Sequence, residues 1–313
     1  MRLAYTLISL VETPILASPG TLIKNALCRY RDAWRVICGL TGLYAGATVG
    51  LVVVVGAVVL GGLLALKGNV PAIVLGGMVL ILIAVLALFS FAALFNFAFA
   101  SIAVAPEPLT LREAFDRGWQ GAVSYFWLTV VQMTLVAGGY VLLVVPGVIF
   151  FVLSSVSVFA LVAEQQHGVA AIARSWSYVS RRKWDVFWRL VVFTVLLVLA
   201  FFATRVAVLI IARFVGPVTA FAISEAVSLL FDFLVLPLVI LFLGELYKSL
   251  RTSRPLTPEA VALEGDHRGV IIGFSLFGGL IVAAYLGLFL LGALLFVAAP
   301  PAAPTSVPSF FVK

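Results

Sequence analysis

Pro71–Ala105 reads PAIVLGGMVLILIAVLALFSFAALFNFAFASIAVA, a run without one charged side chain. A helix rises 1.5 Å per residue, so about 20 apolar residues cross the ~30 Å hydrocarbon core of a bilayer. In water a helix of this sequence would show Leu, Ile and Phe to solvent all round its circumference; in lipid that is the stable arrangement. The stretch therefore reads as a transmembrane helix. Six further apolar runs flank it. They are Val36–Leu66, broken by Lys67-Gly68-Asn69; Val123–Val145, ended by a tight turn at Pro146-Gly147; Val148–Ala163; Trp184 to about Ala203; a run that starts within residues 217–229 and stops near Tyr247; and Val270–Ala299. Several exceed the length of a perpendicular span, which implies tilt or extension into the interface. The expected fold is all-α, a polytopic transmembrane bundle of about seven spans.

Composition points the same way. The chain is 64% hydrophobic and 11% charged over 313 residues, whereas soluble domains carry roughly 25% charged residues. No soluble fold of this size could cover so much apolar surface. The net charge of +7 raises nucleic acid as a partner. The basic residues, however, sit in short segments between apolar runs, where orientation determinants belong. Nucleic acid is set aside on that ground, and anionic lipid headgroups are expected, at about 1 kcal/mol per basic residue near the surface. Sixteen of the 20 Lys and Arg fall in one set of segments and four in the other. The richer set is expected to be cytoplasmic, with the N-terminus inside and the C-terminus outside a cytoplasmic (plasma) membrane. Residues 3–11 are apolar after Arg2, but Glu12 interrupts them and Leu16-Ala17-Ser18 is a poor cleavage site. The segment reads as interfacial rather than as a signal peptide. Cys28 and Cys38 read as ordinary thiols.

Three basic segments echo one another. Each contains Ala-x-x-Arg, at Ala26/Arg29, Ala114/Arg117 and Ala171/Arg174, and each precedes an aromatic-rich start of a span. In the second, Leu111, Ala114, Phe115, Gly118, Trp119 and Ala122 follow helical spacing; in the third, Val169, Ile172, Ala173, Trp176 and Val179 do. Thr110-x-x-Glu113 has the form of a capping box. Three interfacial amphipathic helices, each leading into a hairpin of two spans, are expected. The domain organisation follows: an N-terminal interfacial segment (1–20), a six-span domain with a three-fold repeat (21–252), a cytoplasmic loop (253–269), an additional transmembrane helix (270–299) and a disordered Pro-rich tail (300–313).

These residues also resemble a known family. Val145-Pro146-Gly147-Val148 is followed by Glu164, Gly168, Ala171-Ile172-Ala173-Arg174-Ser175-Trp176, the basic Arg181-Arg182-Lys183 and Trp184; Pro237 then lies in a span ending Leu246-Tyr247-Lys248-Ser249-Leu250-Arg251. That order, over roughly residues 20–252, is similar to a bacterial six-span membrane-protein family. The family includes the membrane domain attached to some glycerophosphodiester phosphodiesterases. The resemblance implies a membrane module of the bacterial envelope. The hydrolase itself is not implied, because its metal-binding catalytic domain has no counterpart here, and the seventh span departs from the pattern.

No Walker motif, dinucleotide loop or nucleophile elbow occurs, and His167 and His267 have no partner at metal-ligand spacing. No catalytic residue, metal or cofactor is expected, and the chain reads as a non-enzyme. Ionisable residues within spans are functional candidates. Here they are Arg205, Arg213, Glu225 and Asp232, with Glu225 and Asp232 sharing a helix face. Two readings stay open for Arg205 with Glu225 and Asp232: a polar site for a transporter or permease between the fifth and sixth spans, or a structural ion pair. The candidates for anionic-lipid contact are Arg29, Arg117, Arg174, Arg181, Arg182 and Lys183. Gly42, Gly46 and Gly50 form a small-residue stripe suited to close helix approach, as do Gly278 and Gly279. Asn96 and Gln132 are expected to bond a neighbouring helix. The functional expectation is a lipid-binding or partner-organising membrane module, with a membrane-protein partner or a second copy as further candidates.

Overall fold

The computed structural model describes residues 16–65, 70–253 and 258–298. Ten α-helices account for nearly all of them: α1 (Pro19–Asp32), α2 (Trp34–Ala65), α3 (Val70–Val104), α4 (Leu111–Leu142), α5 (Val144–Ser154), α6 (Ser157–Glu164), α7 (Val169–Val179), α8 (Lys183–Ala212), α9 (Pro217–Ser253) and α10 (Pro258–Ala298). A 3₁₀ turn, Ser180–Arg182, joins α7 to α8. No strand occurs among the described residues. Seven helical stretches are long and apolar enough to cross a membrane, and the protein is a multi-pass α-helical membrane protein. The expected break at Lys67-Gly68-Asn69, most of the 1–20 segment and the 300–313 tail lie outside the described residues.

α4 is the central helix. It packs most extensively on α3 and also on α10 and α5, while α9 crosses α3, α1 and α8. The core is unevenly distributed. It runs through Ile37 and Leu40 at the base of α2, the Ala93–Ala105 end of α3, and the Leu241–Leu250 end of α9. The far halves of α2 and α3 instead expose Val52, Val53, Leu60, Ile81 and Leu82. Lipid chains are as apolar as these side chains, so exposure there costs little.

The helix ends that carry Lys and Arg meet at the densely packed end. Arg29 of α1 donates from Nε and Nη2 to the Ile102 carbonyl, at 3.1 and 2.9 Å, and from Nη2 to the Ala105 carbonyl. It thereby satisfies acceptors that the last turn of α3 leaves without intrahelical partners. Arg189 of α8 donates to the Ala17 and Leu16 carbonyls at 2.9 and 3.1 Å, and Ala17 N–H donates to Ser249 Oγ of α9 at 3.1 Å. At the start of α4 the capping box is present: Glu113 N–H donates to Thr110 Oγ1 at 3.3 Å and Thr110 N–H to Glu113 Oε2 at 2.9 Å.

Several boundaries differ from expectation. The turn expected at Pro146-Gly147 lies at Leu143, one extended residue between α4 and α5. Pro146 fits within the first turn of α5 because that turn's N–H groups have no helical acceptor. Gly147 then lies flat against the Tyr140 ring. The second amphipathic segment is no separate surface helix; it is continuous with its span in α4. The third, α7, is buried from Ala171 to Val179 except at Arg174, so it is an interior helix. Only α1 has the expected half-exposed form, with Leu22 and Ala26 buried. α8 continues to Ala212, beyond the expected limit near Ala203. The expected 253–269 loop is helical from Pro258, so α10 is about 62 Å long at 1.5 Å per residue. His267 lies on that helix, its ring 5.8 Å from Trp176.

Small residues set one close contact. A Cβ on Gly278 of α10 would overlap the Thr134 carbonyl of α4, and one on Gly138 would lie 2.7 Å from the Phe274 carbonyl. Among the described residues the Gly42, Gly46 and Gly50 stripe meets no neighbouring helix, and no atom of theirs lies within 4 Å of where a Cβ would stand. Gly278→Ala should therefore destabilise the bundle by about 1–3 kcal/mol through overpacking. Gly46→Ala should stay within about 0.5 kcal/mol of the parent. Reversible unfolding in mixed micelles distinguishes the two; equal effects would show that the α4–α10 contact is not as tight as described.

Candidate functional site

The strongest polar cluster joins α6, α7 and α9. Glu164 ends α6. Its Oε1 accepts hydrogen bonds from Tyr178 Oη at 2.7 Å and from Tyr247 Oη at 2.6 Å. Its Oε2 lies 3.2 Å from Arg174 Nε, and the two side chains retain only 13% and 14% exposure. Tyr247 is fully buried and stacks on Phe159 at 5.9 Å. Two residues with positive φ, Gln165 (54°) and Gly168 (53°), turn the chain after α6 so that α7 returns Arg174 to the carboxylate. Both carboxylate oxygens are engaged by side chains of α7 and α9, which makes the cluster a structural clamp. Glu164 and Tyr247 could be seen in sequence only within the family-like motif order; nothing in their spacing foretold that they meet.

The proposed lipid-contact residues divide. Arg29 and Arg174 are committed to carbonyls of α3 and to Glu164, as described, so neither is a free surface cation. Arg181 is exposed, Arg182 half-buried and Lys183 exposed at the start of α8. Beside them runs a groove of about 210 Å³ between α5 and α8, lined by Val144, Val148, Val152, Trp184, Phe187 and Lys183. Apart from Lys183 its lining is apolar. Val144, Val148 and Val152 share one helix face, about 12 Å from first to last. Trp184 and Trp188, 63% and 61% exposed, continue the α8 side of the same end.

The four ionisable span residues are not brought into one cluster. Arg205 donates from Nη1 to Ser224 Oγ of α9 at 3.0 Å and sits 4.8 Å over the Phe201 ring. Glu225 and Arg213 are exposed. Asp232 lies about 12 Å along α9 from Ser224, beyond the reach of Arg205. It instead lines an open groove of about 540 Å³ between α2 and α9, with Thr41, Tyr44, Thr48 and Leu236. The expected Arg205–Glu225–Asp232 group is thus an arginine–serine contact and two separate carboxylates. For Asp232 the physical reason is rise, since positions on a shared helix face can still lie too far apart for one partner; for Glu225 it is rotation, since the residue next to Ser224 points about 100° away round the helix.

Arg117 is also exposed. It lines a cleft of about 490 Å³ at the basic end, with Gln120, Ser124, Gln165 and His167. Deeper between α3, α4, α6 and α9 is a cavity of about 150 Å³ lined by Asn96, Tyr125, Thr129, Gln132, Ser155 and Ser157. Gln132 bonds across helices as expected, donating to the Ser154 carbonyl at 3.4 Å and accepting from Ser157 Oγ at 3.2 Å. Asn96 donates to the Ala92 carbonyl of its own helix at 2.8 Å instead.

These features define a multi-pass membrane bundle with an ionic clamp, an apolar groove bordered by basic residues and a cavity with a partly polar lining. Compared with protein-family models, curated proteins and solved structures, the chain matches none.

The clamp makes a definite energetic claim. Glu164→Ala removes the carboxylate from the largely buried Arg174 and from both tyrosine hydroxyls, and should cost about 3–5 kcal/mol. Tyr247→Phe removes one hydrogen bond to a charged group and should cost about 1.5–3 kcal/mol. Unfolding of the purified variants checks both; a Glu164→Ala effect below that of Tyr247→Phe would show that the carboxylate does not hold the clamp together.

Proposed function

We propose that this protein is a non-enzymatic integral membrane module that binds anionic lipid at its basic end, in the groove between α5 and α8. The observation that carries this reading is the pairing of an apolar groove with Lys183 and Trp184 in its lining, directly after Arg181 and Arg182. An acyl chain in the groove gains about 0.8 kcal/mol per buried CH₂. Each nearby basic residue adds about 1 kcal/mol with an anionic headgroup. Trp184 and Trp188 suit the boundary between headgroups and chains, where amphipathic rings collect. On the same reading this end faces the cytoplasm of a bacterial cell, the N-terminus is inside and the C-terminus is outside. The resemblance to the six-span family supports a module of that kind. A partner-organising role draws on the same surface.

The permease reading needs a polar site between α8 and α9. Its support there is weaker, because Arg205 meets a serine and a phenyl ring rather than a carboxylate.

Native mass spectrometry of protein released from nanodiscs containing equal amounts of phosphatidylglycerol and phosphatidylcholine tests the lipid reading. The parent chain should retain phosphatidylglycerol preferentially. Joint replacement of Arg181, Arg182 and Lys183 by Gln should remove most of that preference. An unaltered lipid profile in the triple variant would overturn the proposal.

A further inference from the structure

The polar cavity in the middle of the bundle is not needed for lipid binding, and its chemistry differs from that of the groove. Its lining brings together Asn96 of α3, Tyr125, Thr129 and Gln132 of α4, Ser155 at the α5–α6 break and Ser157 of α6. Every one of these polar side chains is uncharged. Apolar walls complete it: Phe159 is fully buried beside the cavity, and Ile240 and Leu243 close it from α9. The polar side chains have partners in the wall: Asn96 bonds the Ala92 carbonyl, Thr129 the Tyr125 carbonyl, Gln132 both Ser154 and Ser157, and Ser155 the Val152 carbonyl. Amides and hydroxyls keep further donor and acceptor capacity beyond one bond, which an occupant able to donate and accept can use.

A cleft at the basic end adjoins the cavity on the same three helices. Along α4, Arg117, Gly121 and Ser124 line the cleft at the basic end, and Leu128 and Gln132 line the cavity. Positions 117, 121, 124, 128 and 132 fall on one helix face. On α3, Phe97 and Ser101 line the cleft while Asn96 and Ala100 line the cavity; on α6, Leu161 and Val162 line the cleft while Ser157 and Val158 line the cavity. Along α4 and α6 the two voids follow one another, and on α3 they occupy adjacent faces at the same depth, so they are neighbours across one three-helix junction. Gly121 is required at this junction, since the Phe97 ring occupies the place a side chain would take.

We infer that the cavity is a binding site for a small uncharged solute bearing both hydrogen-bond donors and acceptors, such as an amide or a polyol, admitted through the Arg117–His167 cleft. Size and charge set the class. A void of 150 Å³ matches one known to hold benzene when its lining is apolar, so a solute of about six non-hydrogen atoms fits. An ion would find no counter-charge in the lining and would lose its hydration unpaired. Arg117 at the open cleft disfavours approaching cations. The α5–α6 break at Ser155–Val156 places Ser155 and Ser157 at the cavity wall, where a continuous helix would turn fewer hydroxyls inward.

Alkylation of an introduced thiol tests the inference in the full chain held in nanodiscs. With Cys28 and Cys38 replaced by Ser, Ser157→Cys supplies one thiol at the cavity wall; Ala100→Cys supplies a second position should the first disturb folding. Iodoacetamide and iodoacetate deliver the same reaction on a neutral and an anionic reagent of similar size. The rate ratio of neutral to anionic reagent should be at least tenfold higher at the cavity thiol than at the exposed Cys28 of the parent chain. Acetamide and glycerol should slow cavity alkylation saturably, and Gln132→Leu or Asn96→Leu should remove that protection. A reagent ratio equal to that at Cys28, no alkylation at either cavity position, or alkylation unaffected by acetamide and glycerol would each overturn the assignment.

Discussion

A carboxylate buried between three helices controls how the basic end of this bundle is built. Removing Glu164 from water costs several kcal/mol unless partners replace its hydration. Here the replacements come from three directions: the Arg174 guanidinium on α7, the Tyr178 hydroxyl on the same helix, and the Tyr247 hydroxyl on α9. The arrangement is possible only because the chain reverses within a few residues after α6. Gln165 adopts a left-handed conformation there, which a non-glycine residue reaches at a cost of about 1–2 kcal/mol. Gly168 takes a second positive φ next to the Trp127 ring. The strain is local, and the clamp it permits ties α6 to α9 across 83 residues of sequence.

From that end the packing loosens outward. Arg29 and Arg189 hold α1 and the segment before it against α3 and α8, so the helix ends are closed by cationic side chains bonded to carbonyls. Farther along α2, α3 and α8 the side chains are large, apolar and exposed, and neighbouring helices diverge. The grooves between them are lined mainly by apolar side chains, which suit contact with lipid chains. This asymmetry explains why a polar interior cavity and two apolar grooves coexist. The cavity is bounded by α3, α4, α6 and α9, of which the clamp ties α6 to α9, and the grooves lie between α5 and α8 and between α2 and α9. Asp232 sits in one such groove between α2 and α9, a carboxylate at membrane depth without an ion-pair partner among the described residues.

The Ala-x-x-Arg echo shows both how far sequence reading reaches and where it stops. Ala26, Ala114 and Ala171 are all fully buried, at 0% exposure. A small residue one turn before the arginine is thus a shared packing requirement, and the pattern revealed it. The arginines do three different things. Arg29 binds carbonyls of α3, Arg117 lines an open cleft and Arg174 pairs with Glu164. Amphipathic spacing likewise identified a helix at 169–179 but placed it at the membrane surface. Its polar face is sparse enough to be enclosed by α5, α6 and α10, and only the neighbours decide that. The glycines behave in the same way. Gly278 is pressed against α4 and Gly46 faces nothing, although both belong to small-residue patterns of equal appearance.

Hydrophobicity, helix length and the distribution of Lys and Arg are properties of contiguous sequence, so the sequence alone determined that this is an all-helical, multi-pass membrane protein with one strongly basic set of helix ends. The capping box at Thr110 was equally local. The ionic clamp, the separation of Arg205 from Asp232, the burial of α7 and the placing of a partly polar cavity next to the Arg117 cleft depend on which helix faces meet, at what depth. In a membrane no water pattern marks the buried face of a helix, because lipid-facing and core-facing side chains are alike apolar. Tertiary packing alone could settle those contacts.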